Sequence, residues 1–255
     1  MSILADALWL NASPSLGCFN QPLLEYLSQT LRVEQWEYCP NEDKAGCLDA
    51  TVSALYNYLK HKNKKLHIIG HSTGGLLGLL YTCKYPETVE SLTLLAVGAD
   101  SAVDWQATYY EHIQFKNRAS VLNAMVYNLF GYQDKDTIQK LEGILEQDLN
   151  YSLSPHSLYK KVSLRPTSIK VPLMIYGSLD DVIVEPDMVR AWEPYLKQSD
   201  RFVLCPEGKH FFHFFHPEFV GTQVLSFWHH NNSQRQFPSA LPKYFVKLTQ
   251  GELPC

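Results

Sequence analysis

The sequence predicts an α/β protein built on a doubly wound, mainly parallel six-stranded sheet, with a helical insertion after the fourth strand. Short apolar runs rich in β-branched and aromatic residues alternate with stretches of helical periodicity, the pattern of βαβ units. Each crossover between successive runs is long enough for the right-handed connection that parallel strands require. The alternation lapses once, from about Asp100 to Lys170. There the strand signal is missing and apolar side chains recur at helical spacing, as at Ile138, Leu141, Leu145 and Leu149.

Taken in order, strands are predicted at Ala7 to Leu10, Val33 to Tyr38, Leu66 to Ile69, Leu92 to Val97, Leu173 to Tyr176 and Phe202 to Cys205. Helices are predicted at Gln21 to Leu31, Leu48 to Lys60, Gly74 to Cys83, Asp187 to Leu196 and Pro217 to His229. The chain thus divides into a core of residues 1–99 and 171–232, a helical insertion over 100–170 and a C-terminal extension over 233–255. The extension carries Pro238, Pro242 and Pro254 and shows no chemistry. The insertion is rich in aromatic residues; most of them serve its own small core, and Tyr127 is assigned to the pocket wall. Gly131 and Gly143 read as helix punctuation.

With 255 residues, 45% of them hydrophobic, the chain suffices for one packed domain carrying an inserted subdomain. A formal charge of −4 with scattered lysines and arginines offers no basic field, so no nucleic-acid partner is expected. The six cysteines (Cys18, Cys39, Cys47, Cys83, Cys205 and Cys255) are widely spaced, with no Cys-x-x-Cys pair and no Cys/His spacing suited to zinc. They read as reduced packing residues, and no metal or other cofactor is expected. Met1 to Leu10 lacks the basic start of a signal peptide, carries Asp6 and runs into the first strand. No apolar run reaches transmembrane length. The expectation is a cytoplasmic protein with no integral membrane segment, monomeric or homodimeric.

The chemistry is signalled by Gly70-His71-Ser72-Thr73-Gly74, which lies between a predicted strand and a predicted helix. A serine on so tight a turn is held in a strained backbone conformation, and glycines two residues to either side keep the turn free of clashes. The new helix starts at the serine, so its unpaired N–H groups and positive dipole end face whatever the serine attacks. Ser72 is therefore a candidate nucleophile, and the Thr73 N–H a candidate donor to a developing oxyanion.

A serine hydroxyl needs a base within hydrogen-bond reach and a third group that holds the base in one tautomer. Asp180 and Asp181 follow the fifth strand, on the sheet edge where open α/β sheets place their ligands. As bare turn residues they are equivalent candidates for the acid, or simply caps of the segment that follows. Beyond the sixth strand lie His210, His213 and His216. Their three-residue spacing is a weak metal signal without a carboxylate or cysteine cluster. His210, nearest the strand end, is the candidate base, with His213 lining or supporting the pocket.

The order Ser72, acid, His210 and the motifs around it resemble the α/β-hydrolase fold superfamily, in its capped, single-domain serine esterase-like branch. The likeness runs from about Ala7 to His229 and rests on several independent pieces: Gly70 to Gly75 for the elbow, Tyr85 to Leu92 leading into the next strand, Gly177 to Asp180 for the acid, and His210 ahead of Pro217-Glu218. In relatives the acid stands three residues after the glycine that ends its strand and the histidine precedes a Pro-Glu pair by seven, which selects Asp180 and His210. The resemblance also implies a second oxyanion donor after a His-Gly pair near the first strand. Here Asn11-Ala12 stands in that place, making Ser13 the expected donor. Glycine eases that loop, so alanine at a positive φ there would be strained and the hole reshaped. The antiparallel strands that usually precede this one are expected to be missing.

The implied activity is cleavage of a carboxylic ester or related acyl compound by a Ser72-His210-Asp180 triad through an acyl-enzyme. Ser13 and Thr73 would form the oxyanion hole, and a helical cap would close an aromatic-lined, largely apolar pocket over a small apolar acyl substrate. Asn11, His71, Tyr127 and His213 are assigned to that pocket. The same constellation also serves carbon–carbon hydrolases, thioesterases and lyases, and some members of the fold use the pocket for ligand sensing with little turnover.

Overall fold

Six strands lie in the order β2-β1-β3-β4-β5-β6, every neighbouring pair parallel: β1 (Ala7–Asn11), β2 (Val33–Glu37), β3 (Leu66–His71), β4 (Val89–Leu95), β5 (Leu173–Ser178) and β6 (Arg201–Cys205). The computed structural model describes residues 6–39 and 47–233 of the chain, so nearly all of the predicted C-terminal extension lies outside the described residues. The helices are α1 (Gln21–Ser28), α2 (Leu48–Leu59), α3 (Thr73–Lys84), α4 (Trp105–His112), α5 (Arg118–Phe130), α6 (Lys135–Tyr151), α7 (Pro186–Arg190), α8 (Phe212–Phe215) and α9 (Pro217–Ser233). The helix predicted from Asp187 to Leu196 is broken into α7 and a short 3-10 turn at Glu193–Tyr195. Pro194 explains the break, because it lacks an N–H and its ring collides with the preceding turn of a continuous helix.

Alternation along the strands sorts the core into two layers. Leu8, Leu10, Ile68, Leu92, Leu94 and Ile175 pack in one layer with α2, α3 and the helices inserted between β4 and β5. Ala7, Trp9, Ile69, Met174 and Tyr176 pack in the other with α1 and α9, through Leu23, Leu24, Leu27, Val220, Val224 and Trp228. Both faces of the central strands are covered, which is why β1, β3 and β5 read as nearly unbroken apolar runs, whereas the edge strand β2 carries Glu34, Gln35 and Glu37 and is only partly buried.

The insertion consists of α4, α5 and α6, each started by a polar side chain that accepts from its first turn: Asp104 from Ala107 N, Asn117 from Ser120 N, and Asp134 from Asp136 N and Thr137 N. Gly131, at φ 75°, ends α5 as its position suggests, but Gly143 is no punctuation. It sits inside α6 on the exposed face, with no atom within 4 Å of where a Cβ would be.

Two glycines behave in opposite ways here, which yields a paired test. A Cβ on Gly74 would stand 2.3 Å from the Leu10 carbonyl oxygen at the crossing of α3 and β1. Gly74→Ala is expected to cost about 1–3 kcal/mol through overpacking, whereas Gly143→Ala should stabilise by about 0.5–1 kcal/mol through helix propensity. Thermal midpoints of the two variants should move in opposite directions, by about 2–4 °C per kcal/mol.

Candidate active site

Ser72 occupies the turn between β3 and α3 at φ 50°, ψ −124°, a left-handed geometry rarely adopted by residues with a side chain. Its N–H donates to Leu95 O at 2.9 Å, tying the turn to β4, and its carbonyl accepts from Leu76 N at 3.0 Å, which starts α3. The turn is possible because a Cβ on Gly70 would lie 2.5 Å from the backbone of Gly74. The Ser72 Oγ is buried and has no hydrogen-bond partner.

His210 follows β6 in a loop held on both sides. Its ring is fully buried, and Nδ1 lies 2.9 Å from Asp181 Oδ2. Because the carboxylate accepts, Nδ1 carries the proton and Nε2 of the neutral ring presents a lone pair. Nε2 has no partner, like the Ser72 Oγ, and both residues line one small cavity at the carboxyl ends of β1 and β3. Next to the base, Phe211 stacks on Phe130 of α5 with ring centroids 4.8 Å apart.

The carboxylate that meets His210 belongs to Asp181, one residue beyond the expected Asp180. Asp181 is 2% exposed; Oδ2 meets His210, while Oδ1 accepts from Ile183 N at 2.8 Å and Val184 N at 3.1 Å. Asp180 turns the other way: its Oδ1 accepts from Ser178 Oγ and from Lys209 N, each at 2.8 Å, and its carbonyl accepts from Lys209 Nζ at 3.3 Å. Consecutive side chains in a turn cannot share one direction, and the inward one is followed by the buried pair Ile183 and Val184. Burial pushes the Asp180 carboxyl up, but the bonds from Ser178 and Lys209 and the lysine charge hold it below its ordinary value. Asp180 thereby steadies Lys209, itself left-handed at φ 54°, immediately before His210.

Other assignments fare unevenly. Asn11, Ser13, His71 and Thr73 do line the cavity. The Ser13 N–H, however, donates to Asn11 Oδ1 at 3.2 Å, and Asn11 Nδ2 donates in turn to Glu37 Oε2 at 3.0 Å. Ala12 is not strained: the described non-glycine residues at positive φ are Ser72, Ala96 and Lys209. Tyr127 does not reach the cavity; it is 57% exposed on α5, under the Lys209 ammonium. His213 stands behind the wall rather than in it, donating from Nε2 to Asn20 Oδ1 at 3.0 Å, and Asn20 is the residue that faces the cavity.

Sequence reasoning missed Asp104, Trp105 and Gln106, which bring the start of α4 into the cavity wall. The Asp104 carboxylate could be recognised from sequence as a helix start, but which helix it approached could not. The wall is mixed rather than largely apolar, since Asn11, Asn20, Asp104 and Gln106 alternate with Trp9, Leu16, Trp105 and Phe211. Its free volume is about 20 Å³, room for roughly one water molecule. Among the described residues no cluster of three or more metal-ligating side chains occurs.

With the sheet order and the geometry of the serine turn established, residues 48–217 match the family described as the alpha/beta hydrolase fold. The chain belongs to that family. A protein of Synechocystis sp., itself uncharacterized, is 41% identical over 223 residues, covering 87% of this chain and 89% of that protein. Among solved structures, the chain resembles an esterase from Thermogutta terrifontis with TM-score 0.65 at 17% identity, covering 89% of this chain and 90% of that one. It also resembles a variant of a meta-cleavage product hydrolase, with TM-score 0.69 at 12% identity and coverage of 89% and 92%. In these two cases the likeness is one of fold.

Two buried histidines give this member of the family a defined acid sensitivity. Burial, reinforced by the neighbouring His210, pushes the His213 imidazole down to about 3; burial with His213 and His210 beside it holds His71 well below its ordinary 6.5. Between those values the unfolded chain binds more protons than the folded one, so stability rises with pH through the window and is lost as pH falls. His213→Gln, which keeps a donor for Asn20, should shrink the loss of thermal midpoint between about pH 7 and about pH 5 relative to the wild type.

Proposed function

We propose that the protein is a serine hydrolase that cleaves a carboxylic ester or related acyl compound through Ser72, His210 and Asp181. The observation that carries this reading is the 2.9 Å His210–Asp181 bond, which leaves Nε2 unpaired in the same cavity as the unpaired Ser72 Oγ. A nucleophile and base whose bond is open in the resting protein are ordinary, because such bonds tighten when substrate arrives.

In this mechanism Ser72 Oγ attacks the acyl carbon as its proton passes to His210 Nε2. Asp181 remains ionised and stabilises the imidazolium. Collapse of the tetrahedral adduct expels the alcohol or thiol, which takes the proton from Nε2 and leaves Ser72 acylated. A water then repeats the sequence in reverse roles and releases the acid. The oxyanion is received by the Thr73 N–H, in the first turn of α3 where no intrahelical acceptor exists, aided by the helix dipole. Ser13 N–H is the second donor, exchanging Asn11 Oδ1 for the oxyanion. Each such donor is commonly worth about 100- to 1,000-fold in rate.

The tight, mixed wall favours a small acyl part with a polar group, and the helices α4 to α6 act as its cap. A ligand-sensing role is the competing reading, and it draws on the Ser13 N–H being engaged by Asn11. A fluorophosphonate probe separates the two: covalent labelling of the wild type that is lost in Ser72→Ala supports the hydrolase, and an unreactive wild type supports the sensor. With p-nitrophenyl esters of graded length as substrates, Asp181→Asn should lower kcat by about 10⁴-fold. Asp180→Asn should lower it much less, since it acts on the loop and not on the imidazole. Equal losses in the two variants would refute the assignment of the acid.

A further inference from the structure

The carboxylate of Asp104 is 2% exposed and does more than start α4. Its Oδ1 accepts from Ala107 N at 2.8 Å, which completes the helix cap. Its Oδ2 accepts from Thr73 Oγ1 at 3.1 Å and from Ser154 Oγ at 3.0 Å. Three segments far apart in the chain, the turn after Ser72, the first helix of the insertion and the loop after α6, therefore meet on one buried anion.

Oδ1 serves the cap and also faces the buried His156 Nε2 at 3.9 Å, and for the cap alone serine or asparagine would do as well as aspartate. What aspartate adds is a second oxygen able to accept from two hydroxyls at once, at the cost of burying a charge; burial accordingly pushes the Asp104 carboxyl up. The hydroxyl it holds belongs to Thr73, a β-branched residue with few side-chain conformations, so a bond to Oγ1 also restricts the first turn of α3. Asp104 and Thr73 line the same cavity as Ser72.

We propose that Asp104 is a positioning residue, holding the Thr73 hydroxyl from the insertion's side and so aligning the Thr73 N–H with the reacting carbonyl. The inference rests on the hydrolase reading above. It also makes the donor's alignment depend on how the insertion sits: with a cavity of about 20 Å³, an acyl group enters only if the walls shift, and the Thr73–Asp104 bond joins two of those walls.

The test is the rate of fluorophosphonate labelling at Ser72, read beside the thermal midpoint, in Thr73→Val, Thr73→Ser, Asp104→Asn and the Thr73→Val/Asp104→Asn double variant. Asparagine turns an amide donor toward one of the three donors that aspartate satisfies. Asp104→Asn and Thr73→Val are each expected to slow labelling by up to about 100-fold, as small misplacements of reacting groups do. Thr73→Ser, which keeps the hydroxyl, should recover most of the rate that Thr73→Val loses, and the double variant should label no more slowly than the slower single one, because both act on one bond. Losses that multiply in the double variant, or a fall in thermal midpoint with labelling unchanged, would overturn the proposal while leaving the hydrolase reading intact. A wild type that does not label would overturn both. If Asp104→Asn fails to fold, Thr73→Val against Thr73→Ser still decides, since equal rates in those two would exclude any role for the hydroxyl.

Discussion

The left-handed backbone of Ser72 is the constraint on which the rest of the site depends. Holding a residue with a Cβ in such a region costs of order 1–3 kcal/mol, and surrounding structure has to impose it. Here it is imposed by the Ser72 N–H bond to Leu95 O and by α3 pressing so close to β1 and β3 that Gly70 and Gly74 have no room for a side chain. The strain is what aims the hydroxyl away from the helix it starts and toward the cavity. It also explains why the first turn of α3, with its unpaired N–H groups, lies beside that hydroxyl rather than behind it.

The histidine is held just as firmly, by contacts from three directions. Asp181 accepts a hydrogen bond from its Nδ1, His71 Nε2 donates to its carbonyl at 2.9 Å, and Asp180 accepts the N–H of Lys209, the residue before it. Its ring lies edge-on to His71 at 4.7 Å, and His71 lies 4.5 Å from His213. Packing imidazoles this densely is tolerable only while His71 and His213 are uncharged, which burial ensures. The price of this rigidity is that the loop depends on polar bonds formed in a nearly dry interior, where an unmatched partner is costly.

The fold was legible because the central strands are buried on both faces and most helices on one, so periodicity and length largely separate them. Position within the motif made Ser72 and His210 legible too. Asp180 and Asp181 were not separable that way: the choice depends on which way a turn rotates, and the offset carried over from relatives pointed to the carboxylate that faces Lys209 rather than to the one that meets His210. Tyr127 failed for a related reason. An aromatic residue on an amphipathic helix can face inward or outward, and only the packing of α5 on α6 and on Phe211 decides. Ser13, expected as an oxyanion donor, does line the cavity, but nothing in the sequence revealed that the asparagine two residues earlier would occupy its N–H.

By itself, then, the sequence determined the alternation of strands and helices, the tight serine turn and the order in which serine, carboxylate and histidine follow β3, β5 and β6, since all of these follow from local pattern and from the steric needs of a glycine-flanked turn. Only the tertiary structure decided which carboxylate meets the imidazole, that Asp104 reaches across from the insertion to Thr73, and that the cavity wall is mixed. Those are contacts between residues 29 to 31 positions apart or more, and they depend on how the elements dock, which no local pattern encodes.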